Sequence, residues 1–319
     1  MRILVIHTFG LGDMIMFTPA LKNIINKFPD VKIDFLVLQK VSIAPINNCT
    51  NIDQLYFFEN GILPNLKLMS NLRANSYDYI LHTSGTSILK MSLMMLLLKG
   101  KQKVGEYEQV KVPWYKKQTQ RLDNKHRVES NIEIANLITI DNSSKETPCF
   151  YLNEDNCKFA DDYVSKFKDK ILIGIHPGCN EKFANKRWEI EKYIELIKKL
   201  NNKNKDIKFF IFIGPDEKQV GQDLKKVVEN IELIENSLAN TAALISKMNL
   251  FITNDSGLGH IASCFDVDIL TIFSKNTHAN PNKIFPYSKK SHKIDFKKLN
   301  NKNTEVGIVQ ENIIQRIGK

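Results

Sequence analysis

The chain has 319 residues, 43% apolar and 25% charged, with a formal net charge of +10; this length predicts two compact units, and the balance excludes a disordered chain. The charge fits an anionic partner, yet only six of the 45 basic residues are Arg, the side chain suited to bidentate recognition of phosphates and bases. No nucleic-acid-binding motif accompanies them, which argues against a nucleic-acid partner.

The five cysteines, at 49, 149, 157, 179 and 264, form no CxxC pair and are odd in number. That pattern predicts reduced thiols rather than a disulfide framework or a zinc site. The N-terminus lacks the pattern of a secretory signal. The longest apolar run, "ILKMSLMMLLLKG" (Ile88 to Gly100), contains Lys90 and is too short to span a bilayer. A cytoplasmic protein is expected, with peripheral contact at the cytoplasmic face of the inner membrane left open.

In chain order, RILVI (2–6), IDFLVL (33–38), LYFF (55–58) and YILH (79–82) predict strands, with helices over 13–28 and 85–99. After the polar stretch "DNSSKETP" (141–148), ILIGI (171–175), KFFIFI (208–213), NLFIT (249–253) and DILTIF (268–273) predict strands again. Helices over 189–201, 216–229, 238–247 and 257–265 separate them. Strands apolar on both faces, alternating with amphipathic helices, predict an α/β chain of two Rossmann-like units facing across a cleft, residues 1–150 and 151–303. Residues 304–319 predict a final helix that is free to pack back on the first unit. Ligands of such sheets sit beyond the carboxyl ends of the strands, so chemistry is sought in the loops there.

Three loops carry candidate groups. In "HTFGLGDMIMFTPAL" (His7 to Leu21), Gly10 and Gly12 permit a tight turn and bring Asp13 to the start of a helix. There Asp13 either caps the helix or serves as a general base for an incoming hydroxyl. In "IHPGCNEKFANKRWEIEKYIELIKKL" (Ile175 to Leu200), Lys186 and Arg187 precede a helix N-terminus, where cations oppose the helix dipole unless an anion joins them. Lys186 is thus either a solvated loop lysine or an anion ligand. In "TNDSGLGHIASCFDVDILTIF" (Thr253 to Phe273), Asp255 and Ser256 can cap a short helix, while Gly257 and Gly259 admit a close approach and His260 can face inward. Amide ends aimed at a ligand favour a diphosphate there over an ordinary capped helix. Asp266 and Asp268 form a DxD, but they fall in a turn where Asp is expected.

Together these loops resemble glycosyltransferase family 9, the ADP-heptose heptosyltransferases of lipopolysaccharide synthesis. The matching elements are "GLGDMIMFTPALKNI" with "FPDVKIDFLV", "IGIHPGCNEKFANKRWEIEKYIELI" and "TNDSGLGHIASCFDVDILTIF", in the family's order and near its spacing. The resemblance implies a GT-B fold and an inverting, metal-independent transfer of heptose from ADP-heptose to a lipopolysaccharide inner-core or related surface-glycan acceptor, with no cofactor. It implies Asp13 as base and Lys186 as the group that stabilises the donor diphosphate. Gly12, Gly178, Cys179, Glu217, Asp255, Ser256, Gly257 and His260 are implied donor contacts, while Lys90, Arg121 and Arg127 are available for an anionic glycolipid or glycan acceptor. One departure stands out: where the family has a Gly-Pro-Thr turn, this chain has Ser274, Lys275 and Asn276. That leaves room for a different activated sugar passed to a capsule or O-chain acceptor, or for a non-catalytic nucleotide-sugar-binding module.

Overall fold

The computed structural model describes residues 1–141, 146–179, 181–214, 217–277, 280–299 and 304–318, without the side chains of 181–183 and 219. Residues 142–145 of the polar stretch 141–148 lie outside this set. By internal contacts the chain divides into two units, Met1–Tyr151 and Leu152–Lys319.

The first unit runs β1 (Arg2–His7), α1 (Leu11–Lys27), β2 (Lys32–Val37), β3 (Ile52–Phe57), α2 (Ile62–Ala74), β4 (Tyr77–His82), α3 (Ile88–Leu97), β5 (Gly100–Tyr107), β6 (Lys117–Gln120) and α4 (Arg127–Thr139). Its six strands are parallel, in the order β3-β2-β1-β4-β5-β6. Ile3 to Ile6 of β1 are fully buried because helices cover both faces of the sheet. One core layer joins Ile3, Val5, Phe35 and Val37 to Phe17 and Leu21 of α1 and Ile134 and Ile138 of α4. The other joins Leu4, Ile6 and Ile80 to Leu72 of α2 and Met91 and Met95 of α3.

The second unit runs α5 (Glu154–Val164), β7 (Ile171–His176), α6 (Ile190–Lys203), β8 (Ile207–Phe212), α7 (Lys218–Val227), β9 (Ile231–Ile234), α8 (Leu238–Ile245), β10 (Leu250–Asn254), α9 (Gly257–Ala262), β11 (Asp268–Phe273), α10 (Pro281–Ile284), β12 (Ser291–Asp295) and α11 (Glu305–Ile317). Its strands are parallel in the order β12-β11-β10-β7-β8-β9. Counted within each unit, the two sheets share one doubly wound order. In both, the winding reverses between the first strand and the fourth, which are β1 and β4 in one unit and β7 and β10 in the other. That reversal opens a crevice at the carboxyl ends of those strands.

The final helix has its apolar face in the second unit rather than the first. Val306, Val309 and Ile313 share a core with Trp188, Tyr193 and Leu196, and the Trp188 indole donates to Glu305 at 2.9 Å.

Candidate functional site

In the first unit the chain leaves β1 at His7, turns through Phe9 and Gly10, and enters α1 at Leu11. Gly10 is the N-cap residue and no side chain caps this helix, so Asp13 stands in the first turn with its carboxylate committed elsewhere. It pairs with the Arg127 guanidinium, each side chain about 25% exposed, which leaves the carboxylate within reach of solvent. Arg127 opens α4, lies 5.4 Å from the Phe9 ring centre, and packs directly over Gly85 in the loop after β4. Gly85 has φ +93°, and a Cβ on it would overlap the guanidinium. Glycine is therefore needed at 85 for its backbone and for the arginine's seat alike.

Behind Asp13 lies His7, wholly buried, with Nδ1 3.1 Å from Thr83 Oγ1 and Nε2 3.3 Å from the Gly10 carbonyl. Burial draws its pKa down, against the pull of Asp13. A neutral ring with Nε2 donating and Nδ1 accepting fits both contacts, and it ties the glycine turn to the loop after β4.

Arg121 is engaged by protein groups. Its Nε and Nη2 donate to Glu106 Oε2 at 2.9 and 2.8 Å, and its other contacts are the Thr86 carbonyl and Glu108. Glu106 is buried and also accepts from Ser84 Oγ at 2.7 Å, so this arginine neutralises an interior carboxylate. Lys90 is exposed on α3.

In the second unit the loops after β7 and β10 meet. Lys186 Nζ donates to Asp255 Oδ2 at 2.7 Å, which fixes the ammonium at the end of β10. Asn254, one residue earlier and fully buried, joins three segments. Its Oδ1 accepts from the Trp188 backbone N–H at 3.0 Å and from the Tyr193 hydroxyl at 3.1 Å, while its Nδ2 donates to the Pro177 carbonyl at 2.7 Å. Sequence reasoning missed Asn254; a buried amide at a strand's carboxyl end, beside an acidic cap candidate, was the available signal. Ser256 is the N-cap residue of α9 without capping it, its hydroxyl instead 2.9 Å from Thr253 Oγ1. Gly257 begins that short helix, and His260 is buried within it.

Glu217 is buried at the end of the β8 loop, where its Oε2 accepts the Gly214 N–H at 2.7 Å and lies 3.8 Å from His176 Nδ1. The His176 ring donates to the Phe212 carbonyl at 2.9 Å, and burial pulls its pKa down against the opposing field of Glu217. The Glu217 carboxylate lies over Gly178, filling the place of a Cβ. The Cys179 carbonyl accepts from Arg187 Nη2 at 2.7 Å, while burial pushes the Cys179 thiol up and away from reactive thiolate. Lys275 ends on Glu305 at 3.1 Å. Asp266 of the DxD is paired with Lys290 at 2.8 Å.

The first unit therefore brings Asp13, Gly12 and Arg127 together at its switch point and leaves Lys90 and Arg121 in separate surroundings. The second gathers Lys186, Asp255, Ser256 and Gly257 at the end of β10, and Gly178, Cys179 and Glu217 where the loops after β7 and β8 meet, the two groups joined through Asn254 and Arg187. A carboxylate reachable from solvent can take a proton, while an ammonium fixed beside a helix N-terminus can hold a phosphate.

Comparison with known proteins identifies the family and the fold. The sequence model of glycosyltransferase family 9 (heptosyltransferase) matches residues 65–312. Lipopolysaccharide heptosyltransferase 3 of Escherichia coli is 24% identical over 284 residues, covering 84% of this chain and 82% of the relative. Among solved structures, the family 9 glycosyl transferase of Veillonella parvula has a TM-score of 0.78 at 21% identity, covering 99% of this chain and 96% of that one. The E. coli heptosyltransferase WaaC with ADP has a TM-score of 0.76 at 19% identity, covering 99% of this chain and 100% of that one. The fold is GT-B, two Rossmann-like parallel-sheet units, and the chain belongs to glycosyltransferase family 9.

Proposed function

We propose that this glycosyltransferase moves heptose from ADP-heptose to a lipopolysaccharide inner-core or related surface-glycan acceptor, with inversion and without a metal ion, at the cytoplasmic face of the inner membrane. The observation that carries the reading is the Asp13 carboxylate, held by Arg127 rather than spent on a helix cap, in a unit whose relatives are lipopolysaccharide heptosyltransferases. In this mechanism Asp13 takes the proton of the acceptor hydroxyl as its oxygen bonds to the anomeric carbon. The bond from that carbon to the diphosphate breaks on the opposite side. ADP departs with the bonding pair, its charge met by Lys186 and by the backbone N–H groups at Ser256 and Gly257. Arg127 orients the base, Glu217 receives donor hydroxyls, and Asn254 keeps the loops of Lys186 and Pro177 in register. The ADP in the WaaC structure and an ADP-heptose analogue in a second WaaC structure of the same fold support the choice of donor.

Asp13→Asn should lower kcat by roughly 10^2 to 10^4, the range of a lost general base, with ADP affinity unchanged by titration calorimetry. Full turnover in that variant removes Asp13 from the role. A second reading, another activated sugar passed to a capsule or O-chain acceptor, draws on Ser274, Lys275 and Asn276 in place of Gly-Pro-Thr. A panel of nucleotide sugars offered to one acceptor extract separates the two.

A further inference from the structure

Large apolar side chains are exposed on the outer surface over one side of the first unit. On α3, Leu89, Leu93, Leu96 and Leu97 point outward while Met91 and Met95 of the same helix are buried. On α2, Ile62, Leu63 and Leu66 are outward while Leu72 is buried. Val110, in the segment after β5, adds to them, and these eight side chains are between 47 and 81% exposed. The buried residues of α2, α3 and the 112–115 segment share one core layer, so the outward ones lie on one side of the sheet. A groove of about 480 Å³ between α3 and residues 108–114, with Leu89, Pro113 and Trp114 in its lining, continues that side. Among the described residues of the second unit, Val227 and Leu299 alone are comparably exposed large apolar side chains. Soluble surfaces tolerate scattered leucines, whereas a contiguous set marks an interaction site.

The charge around these leucines decides what covers them. From residue 59 to residue 112, the span that carries these side chains, the sequence has seven basic residues, Lys67, Arg73, Lys90, Lys99, Lys101, Lys103 and Lys111, and four acids, Glu59, Asp78, Glu106 and Glu108, of which Asp78 is paired with Lys101 and the last two with Arg121. No helix of the described residues is long and apolar enough to cross a membrane. Outward leucines where basic residues outnumber acids, and where three of the four acids are paired with a lysine or an arginine, suit insertion to the depth of the headgroups of an anionic bilayer. A second copy of this chain would set the same lysines against one another.

We propose that the outward face of α2, α3 and the Val110 segment is a docking surface for an anionic phospholipid leaflet, which holds the first unit against the membrane. The idea that docking serves an acceptor carried in that leaflet rests on the reaction proposed above; the surface itself does not.

The test is flotation of the full-length protein with vesicles of phosphatidylglycerol and phosphatidylethanolamine, against phosphatidylcholine alone. Binding to the anionic vesicles is expected, about 100-fold weaker for Leu93→Gln/Leu96→Gln/Leu97→Gln and about 25-fold weaker for Lys67→Gln/Lys99→Gln. All five side chains are exposed, and an unshifted melting temperature verifies that the variants fold. Equal binding of wild type and triple variant overturns the proposal, as does equal binding to neutral vesicles. So does a wild-type dimer that ignores vesicles and becomes monomeric in the triple variant. Heptose transfer to a water-soluble acceptor fragment is scored separately and should be unchanged in the leucine variant. Its absence in wild type, with vesicle binding intact, sinks the reaction and spares the surface.

Discussion

Because the Glu217 carboxylate occupies the space of a side chain on residue 178, Gly178→Ala forces one of two buried groups to move. Overpacking of this kind costs about 1–3 kcal/mol, and the strain belongs to the pair. Gly178→Ala is therefore expected to destabilise the protein in the wild-type background and to do so far less beside Glu217→Ala. A double-mutant cycle by urea unfolding measures the difference, and additive effects would show that the alanine methyl finds room elsewhere. The sequence placed Gly178 and Glu217 in the right loops, after β7 and β8, yet could not say that each explains the other. Asp13 shows the same limit. Local grammar offered cap or base; the structure removes the cap, since the partner of Asp13 is Arg127, 114 residues away and seated on a glycine that no spacing rule singled out.

At the scale of elements, the strands found from sequence were largely those buried on both faces, since burial there writes a continuous apolar run. The ones missed were β5, β6, β9 and β12: GKQKVGEY, KQTQ, IELI and SHKID. Three of these are sheet edges, where one side of the ladder has no partner strand and side chains are partly solvated, so polar residues cost little. α2 was missed because its outward side is as apolar as its inward side, which erases the helical period that a half-buried helix normally shows. The final helix was found, but its partner was open in the sequence. Val309 and Ile313 are completely buried in the second unit's core, so Ile313→Ala should cost about 2–5 kcal/mol there. The two tryptophans make the outcome separable, with Trp114 in the first unit and Trp188 in the second. Fluorescence melting in Trp114→Phe and Trp188→Phe backgrounds should lower the Trp188 transition and leave that of Trp114 in place. An equal drop in both would assign the helix's support to the whole chain.

Across the whole molecule, the polar groups inside the two sheets set how stability responds to acid. His7 and His82 in the first unit and His176 in the second are buried at the carboxyl ends of their strands, and burial draws all three below the ordinary value of 6.5. Their fixed hydrogen bonds, from Thr83 and Gly10 at His7 to Phe212 at His176, are those of neutral rings. Unfolding exposes them to water, where they take up protons below about 6.5. The unfolded chain thus binds more protons than the native one in that range, so stability is fully present above 6.5 and falls as the pH drops toward the depressed native values. The loss is at most about 1.4 kcal/mol per pH unit for each of these histidines. Asp78 and Glu305, whose pKa values are depressed by Lys101 and by Lys192, respectively, the latter against burial, lose their contributions only in more acidic solution. Asp34, whose carboxyl is pushed up by burial against its Tyr77 and Arg2 contacts, acts in the opposite sense, so a net fall in stability between pH 6.5 and 5 is the histidines' sign. Urea unfolding at pH 7.5, 6 and 5, followed by the fluorescence of each tryptophan, should show both midpoints falling as the pH drops below 6.5. Midpoints that hold level to pH 5 would mean that these rings are charged in the native protein, and the neutral His7 that steadies the Asp13 turn would have to be abandoned.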